Sequence, residues 1–346
     1  MTSKWILGAA LLPWGLLPAG AGAQTTNYVA APIVTNTQDA HLVNPWGLSR
    51  PLKSTAKENE WWTSDQVTGL STLYDANGTI VKLQVTVPPA PGSGNTVGSP
   101  TGTAFNANNF AFATLDGTIS NWFAGDNQST GGGCAQCHVQ QATVMVNNFA
   151  AGASYQGLTV AKHAATSLET YYAANANGGI EAYDAASFSP VTLAPGAFTD
   201  AKIPVGYTPA GIQAIGSKIY VTYNLNSGGG TGYVTVYNTN GKLLLRLQNG
   251  WFNQPWGVAP APANFGQFSN MILVGNTGSG WIGAYSPTTG AFDGFLQSGG
   301  SDLTIPGLWG IVFGNGNVES GPTNVLYFNA GGANQTTGMF GAITAQ

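Results

Sequence analysis

Asn44-Pro-Trp-Gly47-Leu48, Ser99-Pro-Thr-Gly102-Thr103, Ser154-Tyr-Gln-Gly157-Leu158, Thr208-Pro-Ala-Gly211-Ile212, Gln254-Pro-Trp-Gly257-Val258 and Gly307-Leu-Trp-Gly310-Ile311 are six versions of one phrase. Their glycines lie 55, 55, 54, 46 and 53 residues apart. A period of this length marks stacked or radially arranged supersecondary units. Each phrase is followed by a second apolar strand, a turn and a third strand with an aromatic residue, as in Asn109-Phe-Ala-Phe-Ala-Thr-Leu-Asp-Gly-Thr-Ile-Ser-Asn-Trp122. Turn dipeptides such as Asn77-Gly78, Asn240-Gly241 and Thr289-Gly290 close the hairpins, because Gly and Asn tolerate positive φ. Four short strands fit each repeat, and six such units make a six-bladed β-propeller, an all-β fold.

The ends of the chain support closure of the ring. The sixth repeat runs through Asn324-Val-Leu-Tyr-Phe-Asn329 and Gly338-Met-Phe-Gly-Ala-Ile343 and stops one strand short. The unassigned stretch Tyr28-Val-Ala-Ala-Pro-Ile-Val-Thr35 is the natural missing strand, which would complete the last blade and remove two exposed edges. Composition agrees with this reading. Only 7% of the 346 residues are charged, while there are 49 Gly and 29 Asn, so solvated positions must be filled by turn-forming and strand-tolerant polar residues rather than the Glu, Lys and Arg of helices.

Phrases of this kind, namely Leu42-Val-Asn-Pro-Trp-Gly-Leu48, Gly206-Tyr-Thr-Pro-Ala-Gly-Ile-Gln213, Gln254-Pro-Trp-Gly257, Leu273-Val-Gly-Asn276 and Gly307-Leu-Trp-Gly310, span nearly the whole chain. The chain resembles an uncharacterised family of secreted six-bladed propellers related to NHL-type repeat proteins. The resemblance implies the fold; the family has no established activity, so it implies no catalytic residues. Many bacterial members end in a sorting tail, which is not seen here, and a freely soluble product is therefore expected.

The N-terminus combines Lys4, an apolar run from Trp5 to Leu17 and the small-residue end Ala21-Gly-Ala23. This is the pattern of a secretory signal peptide over residues 1–23, leaving 24–346 as a single domain in a secreted or periplasmic protein. No later apolar run approaches the length of a transmembrane segment. A formal charge of −4 with no basic stripe speaks against nucleic acid as a partner.

Candidate chemistry falls into three groups. Cys134-Ala-Gln-Cys137-His138, within a Gly-rich insertion at 125–141, matches the covalent attachment motif for haem c, with His138 as proximal iron ligand and Met145, His41 or His163 as possible opposite ligands. The same Cys134 and Cys137 could instead form a small disulfide in an exported loop. Second, polar residues recur at the ends of the second strands: Asp65, Asp116, Asn175, Asn224, Asn276 and Asn329. With Trp46, Gln156, Trp256 and Trp309 they could surround one end of a central channel, the carboxylates of Asp65 and Asp116 holding Ca²⁺ and the indoles stacking on a sugar. Asx turns and inter-blade packing would explain the same recurrence. Third, Asn77, Asn127 and Asn334 head glycosylation sequons.

Three histidines are too few for a His-rich catalytic centre, and no Gly-x-Ser-x-Gly elbow occurs. The leading expectation is an exported binding or scaffold module for an extracellular polar ligand or protein. The alternatives are a metal-dependent, lactonase- or lyase-like propeller enzyme with an axial site, and a haem c electron-transfer protein.

Overall fold

A computed structural model describes residues 26–51, 59–106, 109–123, 139–225 and 227–346. It is a ring of six antiparallel blades. From the axis outward, the first blade contains Pro45–Ser49, Trp61–Asp65, Leu70–Tyr74 and Ile80–Thr86. The second contains Pro100–Asn106, Asn109–Thr114, Thr118–Phe123 and Thr143–Asn147, and the third Tyr155–Lys162, Glu169–Asn175 and Gly179–Asp184. Tyr207–Ile215, Lys218–Leu225, Gly232–Asn238 and Leu243–Arg246 form the fourth, and Pro255–Pro260, Ile272–Asn276, Ile282–Tyr285 and Phe292–Phe295 the fifth. The sixth is Leu308–Phe313, Leu326–Ala330, Met339–Ala345 and, outermost, Tyr28–Thr35.

That last pairing is the expected closure: Tyr28 sits opposite Ala345 and Thr35 opposite Met339 in antiparallel register. Two blades depart from four strands. The third lacks a regular outer strand, and only an isolated bridge between Tyr183 and Pro190 marks its place. Phe188 adopts a left-handed φ of 58° there, and Pro190 has no N–H to offer a ladder. The first blade gains a fifth strand, Val139–Gln141, which leaves the second blade's insertion to pair in parallel with Ile80–Thr86.

Both faces of each blade are buried, because each packs on a neighbour. Period-2 alternation then sends adjacent aromatic residues into different seams. Trp61 joins Tyr327 and Phe340 against the sixth blade, while Trp62 stacks on Phe110 of the second at 3.8 Å. Tyr171 faces the second blade and Tyr172 the fourth. Six apolar clusters fill the six seams, and a seventh, of Trp46, Ala210, Trp256 and Trp309, lies on the axis.

The repeat glycines explain how the ring closes around that axis. A Cβ on Gly211 would stand 2.0 Å from the Trp256 carbonyl oxygen, and one on Gly257 would stand 2.4 Å from that of Trp309. Gly310 would meet the Trp46 oxygen at 2.7 Å, and Gly47, Gly102 and Gly157 likewise abut the next inner strand. In all six blades the register between first and second strands shifts at this phrase. Glycine at a bulge permits backbone-to-backbone approach that any side chain would block.

Candidate functional site

Because the glycines meet in register, residues preceding them gather at one end of the axial channel and residues following them at the other. The two ends differ. At the first, Trp46 and Trp309 stack with ring centroids 3.7 Å apart and an interplanar angle of 18°. Trp256 lies edge-on to both, at 6.3 and 5.8 Å. The three indoles are only 8, 6 and 9% exposed, so their faces are spent on one another and they stopper this end. Trp309 Nε1 donates to Asn44 Oδ1 (3.0 Å) and Trp256 Nε1 to the Gln156 carbonyl oxygen (3.1 Å). The first residue of each Trp-bearing phrase, Asn44, Gln254 or Gly307, has positive φ; Ser99, Ser154 and Thr208 do not.

The recurring residues at the second-strand ends serve these same loops. Asn175 Oδ1 accepts from the Ser154 and Asn177 amides, while its Nδ2 donates to Glu181 Oε1 at 2.6 Å. Asn276 repeats the pattern, accepting from the Asn253 amide and donating to the Trp281 carbonyl oxygen. Asn329 Nδ2 donates to the Gly47 oxygen across the closing seam (2.8 Å). Asn224, with its amide turned to donate, reaches the carbonyl oxygens of Tyr223 and Pro255 at 3.1 and 3.2 Å. The six residues are not equivalent in register. Asp65, Asn175 and Asn276 face the residue two before the repeat glycine, but Thr114 rather than Asp116, and Tyr223 rather than Asn224, occupy that place in their blades.

Asp116 accepts from the Ala90 amide (2.7 Å) and the Thr114 hydroxyl. Asp65 is wholly buried and is contacted by Thr63 Oγ1, Thr72 N and Thr72 Oγ1. Among the described residues no group of three or more His, Cys, Asp and Glu gathers to hold a metal, so neither carboxylate gains a ligand set of that kind.

Burial pushes the Asp65 carboxyl up to about 8, with the nearby Asp39 carboxylate adding to the effect against the hydrogen bonds of Thr72 and Thr63. The surrounding contacts accommodate a neutral acid. Thr72 Oγ1 lies 2.8 Å from both Asp65 Oδ2 and Tyr74 OH, and Tyr74 OH lies 2.8 Å from Asp39 Oδ2. A hydroxyl has one proton; if Asp65 donates to Thr72, then Thr72 can donate to Tyr74 and Tyr74 to Asp39. Asp39 Oδ1 in turn contacts exposed His41 at Nδ1 (3.1 Å), which reaches Gln84 at 2.9 Å. The sequence reading did not link these residues.

Glu181 was also missed. Burial would raise its carboxyl, but donors from Tyr155 (2.6 Å), Tyr183 and Asn175 outweigh this and hold it below the usual carboxylate range.

At the opposite end the channel widens. A waist of about 20 Å³, lined by Gly47, Gly102, Gly257 and Gly310 among others, leads to an open mouth of about 170 Å³. Leu48, Phe105, Leu158, Val160 and Val312 supply apolar surface, and Ser49, Thr103, Thr159 and Gln213 supply hydroxyls and an amide. Arg50 stands at its rim. Its Nε and Nη2 donate to the Phe313 carbonyl oxygen at 3.0 and 2.8 Å, Nη1 donates to that of Pro51 at 3.2 Å, and the guanidinium lies 5.5 Å from the Trp61 ring centroid. Burial lowers its pKa to about 10, which still leaves it cationic at neutral pH. The signal was present in the repeat: three residues after each glycine come Arg50, Phe105, Val160, Ala214, Pro260 and Phe313, one cation among five apolar residues.

The cysteine motif and His138, like residues 1–23 and Asn127, lie outside the described residues. Of the residues considered as opposite haem ligands, Met145 is exposed on the second blade's outer strand, His163 is buried beside Thr166 and His41 belongs to the Asp39 network. Asn77 and Asn334 are exposed. Among the described residues no helix is long and apolar enough to cross a membrane.

No family model matches the chain. Two uncharacterised proteins of Acanthamoeba polyphaga mimivirus are similar along most of its length. One is 26% identical, covering 94% of this chain and 82% of its own, and the other is 27% identical, covering 88% and 81%. Among solved structures, a glucose dehydrogenase aligns over 92% of this chain and all of its own, with a TM-score of 0.55 and 10% identity. The virginiamycin B lyase of Staphylococcus aureus aligns over 92% and 99%, with a TM-score of 0.52 and 12% identity. At such identities the likeness concerns the fold alone.

Proposed function

We propose that this chain is an exported binding propeller, allied to the NHL-type repeat proteins, that holds an extracellular polar ligand at the open mouth of its axial channel. One observation carries the reading: the mouth is concave and amphipathic, and the described residues that line it are apolar side chains, hydroxyls, an amide and a guanidinium, with no His, Cys, Asp, Glu or Lys among them. General acid–base or nucleophilic chemistry needs such groups within hydrogen-bond reach of the reacting atoms. A pocket furnished with apolar walls, hydroxyls, an amide and a guanidinium has what recognition requires.

Ala214 lines this mouth, only partly buried at the margin of the seam between the third and fourth blades. A fragment screen by protein-observed NMR should give ligands whose shifts cluster at the mouth in the wild type and vanish in Ala214→Trp, with thermal melting preserved. Ligands that cluster elsewhere and survive this substitution would refute the location.

A further inference from the structure

The chain contains two arginines, and their surroundings differ. Arg246 is exposed and forms a two-pronged pair with Asp200, both contacts at 2.6 Å. Arg50 is partly buried at the channel mouth, and among the described residues no carboxylate lies within ion-pairing distance of it. A partly desolvated cation is costly unless it is paired, and no described residue supplies that pairing for Arg50.

Among the described residues its hydrogen-bond inventory is also incomplete. A guanidinium has five N–H donors; three are directed at the carbonyl oxygens of Phe313 and Pro51, which leaves two without a partner among the described residues. The bonds to Phe313 join the first blade to the sixth and explain why the side chain is held in place. They do not explain why a cation occupies a position that is apolar in the other five repeats, beside a cavity of about 170 Å³.

We infer that the mouth recognises a small organic anion, whose carboxylate or phosphate group pairs with Arg50 while its apolar body lies on Leu48, Phe105, Leu158 and Val312. This rests on the proposed binding role of the mouth and adds the charge class of the ligand. The fixed guanidinium presents its remaining donors to an anionic oxygen, and charge-assisted bonds of this kind are roughly twice as strong as neutral ones. The loss of aqueous screening in the cavity strengthens the attraction further. The lowered pKa of Arg50 is consistent with a site that would gain from an anion's arrival.

Matched probes of equal length test the inference: hexanoate, hexyl phosphate and neutral hexanamide, with inorganic phosphate to separate the charge from the apolar body. Binding is followed by NMR titration of the wild-type chain, Arg50→Met and Arg50→Lys. Hexanoate or hexyl phosphate should bind at least 10-fold more tightly than hexanamide and than inorganic phosphate, and the better of the two identifies the headgroup. Arg50→Met should remove that preference, and Arg50→Lys should retain part of it, since a point charge replaces the fork. Raising the salt concentration should weaken the anion and spare the amide, a readout that needs no variant.

If hexanamide binds the wild type as well as the anions do, the mouth remains a binding site and the anion inference fails. If no probe shifts resonances at the mouth, both fail. Unchanged anion preference in a folded Arg50→Met also overturns the assignment to this residue.

Discussion

The two ends of the axial channel are made by the same six strands, only a few residues apart on either side of the repeat glycines, and they have opposite characters. Before the glycines, three indoles from adjoining blades close the channel; after them, small and medium side chains leave a mouth with one cation at its rim. The glycines themselves barely vary in role, since each admits the next strand's backbone. The difference teaches that the repeat constrains the ring at one level, while the levels above and below are free to diverge. Bulk accumulates where it stabilises the seam between the fifth, sixth and first blades, and space is kept where a ligand can enter.

The comparison can be broken most severely at the level the ends share. Gly211→Ala forces a Cβ to within 2.0 Å of the Trp256 carbonyl oxygen. Neither backbone can yield without moving a blade, so the substitution should cost at least ~3 kcal/mol, the upper range for overpacking, and lower the thermal midpoint by several degrees or abolish folding. A melt indistinguishable from wild type would show that the inner strands do not approach as described.

Removing the stopper should come next. Trp309→Ala deletes the ring stacked on Trp46 and frees Asn44 Oδ1, with an expected loss of about 3–5 kcal/mol in chemical denaturation. If the two ends are independent, binding at the Arg50 mouth by the surviving folded fraction should be unchanged.

A pH scan sharpens the contrast between a buried acid and an accessible cation. Asp65 keeps its proton in the folded chain up to about 8, whereas its ordinary value is 3.8. The folded state therefore binds the extra proton, and this group's stabilising contribution is complete below 3.8 and is lost as pH rises toward 8. The slope can approach ~1.4 kcal/mol per pH unit within that window. Asp65→Asn, neutral throughout, should flatten the dependence of the melting temperature between pH 4 and 8. A slope that persists unaltered would assign the effect to other groups.

The smallest effect is expected at the cysteine motif. Replacing Cys134 and Cys137 together by Ser should leave thermal stability within ~1 kcal/mol, since a Cys-x-x-Cys bridge would enclose too short a loop to restrict the unfolded chain much. Intact mass after expression in a host that matures cytochrome c should show no haem; an increase of hundreds of daltons that survives denaturation would establish the electron-transfer reading instead.

How much of this was legible beforehand depends on the range of the interactions. Gly47, Gly102, Gly157, Gly211, Gly257 and Gly310 recur because each solves the same steric problem, so the blade count and the closing strand could be read directly. The direction faced by Trp46, Trp256 and Trp309 could not, because they meet only after the ring has brought distant phrases together. The polar set was blurred by register. Asn224 pairs opposite Thr208, one place away from the position that Asn175 and Asn276 occupy in their own blades. Arg50 was readable in principle, but only by comparing the third residue after each glycine.

The pairing of Tyr28 with Ala345 also has a meaning in time. Tyr28–Thr35 is made before the inner strands of all six blades and its partner Met339–Ala345 after them, so the seam between them can form only once every blade has been synthesised. Nearly the whole sequence must be gathered into one loop before that ladder forms, an arrangement of high contact order that slows folding. Until then Tyr28–Thr35 and Met339–Ala345 each present an unpaired edge, the kind of surface on which β proteins associate wrongly. Completion of the ring thus waits on a single hydrogen-bonded seam.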